Sequence, residues 1–186
     1  MNASLPQPDQ PGQSALAALF AHNTWANLKL LDFCAGLSAE QLEATAMGGY
    51  GTIRATLLHL VQAEVRYAGR VAGRQPPNPP PDEPYPSFEV LRAAVRRAVA
   101  ELLAGALAAR SDTLVTQRRA NVIEQYKLAD LMAQAITHAT EHRTQVAACI
   151  TALGLEPPDM SGWAWMEERG ALKVSERAGE EPAVNG

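Results

Sequence analysis

At 186 residues and a formal net charge of −4, with 47% apolar residues dominated by Ala and Leu, the chain suits one mostly helical domain large enough to bury a core. Its arginines are dispersed, which excludes the massed basic footprint of a nucleic-acid binder, and no apolar run reaches the length needed to span a bilayer. The Pro-, Gln- and Asp-containing start lacks the pattern of a secretory signal. Cys34 and Cys149 lie among apolar neighbours and read as buried thiols in a reducing compartment, so a cytoplasmic protein is expected.

Residues 1–13, with Pro6, Pro8, Pro11 and Gly12, predict a poorly ordered lead-in. A first helix is expected from about Ser14 to Ala35, ending at Gly36. Its apolar positions Leu16, Leu19, Phe20, Leu30, Leu31 and Cys34 keep helical spacing, interrupted by the polar Asn23. Ser38 then opens a short turn of helix, with Gln41 as its capping-box partner. Met47-Gly48-Gly49-Tyr50-Gly51 breaks the chain, and Thr52 caps a second helix that runs to about Gly69 or Ala72.

Residues 73–86 hold seven prolines, at 76, 77, 79, 80, 81, 84 and 86, and favour an extended connector. A long crossover between bundle helices needs such a spacer, and that reading is preferred to a ligand for a proline-binding domain. Ser87 caps a third helix, Phe88 to about Ala109, whose Leu91, Val95, Val99, Leu102, Leu103 and Leu107 form an apolar stripe. Arg92, Arg96 and Arg97 fall on its wet side. Residues 111–126 are mixed, with Leu114-Val115-Thr116 and Asn121-Val122-Ile123 as short extended pieces.

The fourth helix, from Lys127 to Leu153-Gly154, carries His138 and His142. At i, i+4 their imidazoles stand about 40° apart around the axis and roughly 6 Å apart along it, on one face. Gln145 follows at nearly the azimuth of His138, while Arg143 points to the side. Such a histidine pair is commonly a surface pair or two hydrogen-bonded interior rings. The third helical histidine, His59, flanked by Leu58 and Leu60, changes the balance. Three neutral imidazoles from two packed helices make an open metal site at His59, His138 and His142. After Pro157-Pro158, Asp159 is expected to cap a last short helix through Trp163, Trp165 and Met166, with the indoles supplying core area. From Gly170 to residue 186 a mobile tail is expected, which leaves 14–169 as one domain.

His138-Ala139-Thr140-Glu141-His142-Arg143-Thr144-Gln145, Leu57-Leu58-His59-Leu60, Asn23-Thr24-Trp25-Ala26-Asn27 and Leu153-Gly154-Leu155-Glu156-Pro157-Pro158-Asp159 together resemble the DinB/YfiT-like superfamily over residues 15–169. The resemblance implies an all-α, up-up-down-down four-helix bundle, often a homodimer, with nickel or zinc held by His59, His138 and His142. It further implies thiol-dependent S-transferases and isomerases among the relatives, joining a low-molecular-weight thiol to an electrophile. Thr144 stands where that motif usually carries Gly.

A three-histidine centre can hold a thiol as thiolate near neutral pH, or lower the pKa of a bound water to about 7. Glu141, about 60° round the helix from His138, is the candidate catalytic carboxylate. Glu64 is a candidate for orienting the bound group, and His22 can face the same cavity from the first helix without being a ligand. Two other readings compete. One is a metal-binding, stress-related protein without turnover. The other is a metal-dependent hydrolase, since His138-Ala139-Thr140-Glu141-His142 matches H-x-x-E-H with Glu141 as base; only 44 residues follow His142, little chain for the further carboxylate that chemistry requires.

Overall fold

A computed structural model describes residues 11–73, 78–108, 110, 112–119 and 121–173. Six helices and one hairpin follow in the order α1 Pro11–Cys34, α2 Ala39–Leu42, α3 Ile53–Val71, α4 Phe88–Ala108, β1 Leu114–Arg119, β2 Val122–Lys127, α5 Leu128–Ala152 and α6 Gly162–Glu168. Of the expected lead-in at residues 1–13, residues 1–10 lie outside the described residues, as does most of the expected tail, from 174 onward. Residues 11–13 are not a loose lead-in but the first turn of α1, where Pro11 is tolerated at a helix start.

The helix boundaries follow local chemistry. The Ser38 hydroxyl accepts from Gln41 N while the Gln41 side chain accepts from Ser38 N, closing the capping box. Thr52 accepts from Ala55 N and opens α3. Gly154, with φ +75°, supplies the left-handed step that ends α5. The cap of α6 is Ser161, which accepts from Ala164 N; Asp159 instead accepts from Ser161 N. The short helix thus starts two residues later than the Asp159 expectation.

Two apolar clusters fix the directions of the long helices. One joins Leu30, Leu31 and Cys34 at the end of α1 to Ile53 and Leu57 at the start of α3, Leu91 and Val95 at the start of α4, and Val146 and Ile150 near the end of α5. The other joins Phe20 of α1 to Tyr67 and Ala68 late in α3, Leu102 and Ala106 late in α4, and Leu128 and Met132 at the start of α5. Helices α1 and α5 therefore run one way and α3 and α4 the other. Helix α1 packs on α4 and α5, and α3 packs on the same two, so α1 and α3 face each other across the ring.

This order is up-down-down-up, which corrects the up-up-down-down order implied by the resemblance. The physical reason lies in the connections. The 35–52 segment folds back at one end, where Ile53 N donates to Ala44 O, so α3 begins where α1 stops. The Pro-rich segment is the long crossover, returning the chain along the bundle from the end of α3 to the start of α4. Its described residues are fastened to α3: Gln62 donates to Pro80 O and to Asp82, and the Tyr85 hydroxyl donates to Arg54 O.

The mixed stretch before α5 forms an antiparallel hairpin, with Leu114 opposite Lys127 and Arg119 opposite Val122. The chain is mostly helical, not purely so. Trp163 is 68% exposed, so this indole supplies no core area, while Trp165 packs against His22 and beneath Arg169. Cys34 and Cys149 are both free and buried, as expected. No helix among the described residues is long and apolar enough to cross a membrane.

On α4, Gly105 leaves space for Val71 at the end of α3. A Cβ added there would stand 1.9 Å from Val71 Cγ1 and 3.2 Å from Met132 Cε. In an open helix Gly→Ala stabilises by up to about 1 kcal/mol. Here the β-branched Val71 cannot swing aside cheaply. Gly105→Ala is expected to destabilise the fold by about 1–3 kcal/mol in denaturant melts, and adding Val71→Ala should recover part of that loss.

Candidate metal centre

Because α3 and α5 run antiparallel side by side, His59 near the start of α3 meets His138 and His142 in the middle of α5. His138 Nε2 lies 3.2 Å from His59 Nε2 and 3.2 Å from His142 Nε2. One ligand nitrogen of each ring lies within 4.8 Å of the other two, and no other such group of His, Cys, Asp or Glu exists among the described residues. Two nitrogens held at zinc-like distances in tetrahedral geometry stand about 3.3 Å apart. The donor set and its spacing therefore fit a divalent cation.

The surroundings orient His142 for ligation and favour the neutral form of His138 and His59. His142 is buried, and its Nδ1 donates to Gln145 Oε1 at 2.7 Å, which leaves the Nε2 lone pair facing the other two rings. Burial pushes the His138 imidazole down to about 4, reinforced by the His142 and His59 rings. Burial, then His142, then Arg66 lower His59. Aromatic rings frame the centre. Tyr50, 54% exposed on the glycine-containing loop before α3, stacks on His59 at 4.2 Å and meets the edge of His142 at 5.2 Å. Gly48 in that loop has φ +77° and its carbonyl faces Gln145 Nε2 at 3.5 Å. Tyr67 meets His138 edge-on at 5.6 Å and accepts a hydrogen bond from Gln134.

The other sequence candidates separate clearly. Glu141 is exposed on α5, and among the described residues no hydrogen bond joins it to the three rings. His22 is not part of the centre: its Nε2 lies 2.9 Å from Met160 O, and its ring sits between Trp25 and Trp165. It fastens the segment after α5 to α1. Glu64 is only 2% exposed and accepts from Asn23 Nδ2 at 3.1 Å, inside the bundle.

Around Glu64 is a buried polar layer that pattern reasoning missed. The Arg143 guanidinium donates to Asn23 Oδ1 at 2.6 Å, Asn27 Oδ1 at 2.7 Å and Thr140 Oγ1 at 2.9 Å. Asn23 thus bridges Arg143 of α5 and Glu64 of α3 from its place on α1. Burial lowers Arg143 to about 10, against which Glu64 acts in the raising sense, so the guanidinium stays charged at neutral pH. Burial raises Glu64 to about 7, outweighing the opposing pull of the Asn23 hydrogen bond and the Arg143 charge. The available signal was the pair Asn23 and Asn27, polar at i, i+4 on an otherwise apolar face, and Arg143 directly after His142.

The sequence profile of the DinB family matches residues 10–174. The chain belongs to the DinB family, a metal-binding superfamily. No curated protein matches it.

The buried carboxyl makes stability depend on pH. Its folded-state pKa, about 7, lies above the ordinary 4.5, so the protonated form favours the fold. That contribution is complete below about 4.5 and is lost as pH rises through about 7. Glu64→Gln keeps a carbonyl to accept from Asn23 and removes the titration. Urea midpoints collected across this window should fall less steeply for Glu64→Gln than for the wild type; parallel curves would show that Glu64 does not titrate there.

Proposed function

We propose that the chain holds a divalent metal, nickel or zinc, on His59, His138 and His142, and uses it in a thiol-dependent S-transferase reaction. The single observation that carries this is the meeting of three imidazole nitrogens at cis-ligand spacing, with two of the rings half-buried and not sealed in the core. Three protein ligands leave positions open, as catalytic sites do and closed structural sites do not. When bound, the cation would stabilise a low-molecular-weight thiol in its thiolate form near neutral pH.

The chain's own groups would do the rest. Gln145 sets the His142 tautomer and orients the ring. Tyr50, over His59 and against His142 at the exposed side, gives the incoming molecule an aromatic wall. Glu141, on the exposed flank of α5 one residue before His142, is our candidate for accepting the thiol proton before the thiolate attacks a small electrophile. We place this activity in the cytoplasm and, by the family resemblance, in a homodimer. The hydrolase reading asks for a carboxylate ligand downstream of His142. The ring that joins the pair comes instead from upstream, on α3. A binding protein without turnover would keep the metal and show no thiol response.

Purified protein should contain close to one equivalent of divalent metal by elemental analysis. Loaded with cobalt or nickel, it should change its absorption when low-molecular-weight thiols are added, and His142→Ala should abolish both signals. A spectrum indifferent to a panel of common thiols would remove the transferase reading while leaving the metal site standing.

Two substitutions divide the labour. Gln145→Ala should weaken the metal about 10–100-fold in chelator competition. Glu141→Gln should leave metal affinity unchanged and slow thiol conjugation about 100-fold. Equal rates for Glu141→Gln and wild type would take Glu141 out of the reaction.

A further inference from the structure

At the end of the bundle where the hairpin packs, a cavity of about 690 Å³ opens between the last turn of α3 and strand β1. Its size is that of a small-molecule pocket. Its polar lining consists of Arg70, Thr113, Thr116, Gln117 and Arg118, and the described residues that line it include no carboxylate. In a chain of net charge −4, this is a local concentration of positive charge and neutral hydrogen-bonding groups.

Among the described residues, neither guanidinium has a carboxylate partner. Arg118 has no hydrogen bond or ion pair among the described residues. Arg70 rests over the Tyr67 ring at 5.8 Å, and its Nε is buried with no hydrogen-bond partner among the described residues. A buried donor left unpaired is costly, and such groups in native proteins ordinarily meet a partner. Arg70 lies in the last turn of α3, where a cation complements the helix dipole. That dipole is equivalent to only about half a charge, so it does not account for Arg70 and Arg118 together.

We infer that this cavity binds a small molecule carrying a carboxylate or a phosphate, with Arg70 and Arg118 as its charged contacts and the threonine hydroxyls and Gln117 amide as neutral ones. The site is distinct from the histidine centre, since none of the three histidines lines it. Tyr67 contacts both, with Arg70 over its ring at 5.8 Å and His138 edge-on at 5.6 Å. The inference holds whether or not the centre is catalytic.

Isothermal titration of the full chain with inorganic phosphate and, separately, with succinate tests it and distinguishes the two anion types. Saturable binding of at least one probe is expected, weaker at higher salt. Losing a hydrogen bond to a charged group costs about 1.5–3 kcal/mol, so Arg70→Gln and Arg118→Ala should each weaken binding about tenfold or more. Arg118 is exposed on a strand, so its variant keeps the test valid where Arg70→Gln fails to fold. His138→Ala should bind the probe as the wild type does. No saturable heat from either probe would overturn the proposal. So would affinity unchanged in Arg118→Ala, or binding lost in His138→Ala, which would put the anion at the histidines.

Discussion

A single buried cation sets the rotation of the helix that carries two of the three histidines. Arg143 is 5% exposed, and a guanidinium in such a place is tolerated only when its donors are spent on good acceptors. Asn23 and Asn27 supply two from one face of α1, and Thr140 supplies a third from the preceding turn of α5. Because Arg143 must reach α1, α5 cannot turn about its axis. His142, about 100° away on the helix, is thereby turned toward α3.

The same device appears on the facing helix. Glu64 lies five residues after His59, and Arg143 lies five residues after His138, so each charge-bearing group stands about 140° round its axis from a histidine. With α3 and α5 antiparallel and adjacent, both helices present imidazoles on one side of their contact and a polar side chain on the other. Asn23 joins the two interior groups, donating to Glu64 and accepting from Arg143. The interior layer thus registers α1, α3 and α5 together. That register brings the histidines into reach of one another, and Gln145, Tyr50 and Tyr67 then hold the rings locally. Burial of Glu64 and Arg143 is weak evidence for stability in itself; its clear consequence here is geometric.

Much of this was legible in the sequence, for identifiable reasons. Short-range chemistry reads well: Ser38 with Gln41, and Thr52 with Ala55, behave as their types dictate. The convergence of His59 on His138 and His142 was inferable because three mid-helix histidines need partners. The polar layer was not, because its pairs are separated by 41, 116 and 120 positions. No periodicity links Asn23 to Arg143, and helical spacing says only that Arg143 points to the side of the histidine face. Helix direction failed for a related reason: a connector of given length either folds back or returns along the bundle, and only the packing of Leu30 with Ile53 and Leu57 distinguishes the two. Trp163 shows the converse, a large apolar side chain that propensity sends inward and a short terminal helix leaves outside.

Helix α3 is where these features meet. It carries in order His59 of the centre, Gln62 that holds the crossover, Glu64 of the interior layer, Tyr67 against His138, and Arg70 at the cavity. A slide of one turn, about 5.4 Å, would break all five relations at once, so they constrain one another. The crossover gives this arrangement a further hold, because Gln62 donates to both Pro80 O and Asp82 from a buried position. A proline-rich segment loses little conformational freedom when it docks, so it can clamp a helix at low entropic cost. The connector therefore does more than span the distance from α3 to α4: it fixes the axial position of α3, on which both the histidine spacing and the wall of the cavity rest.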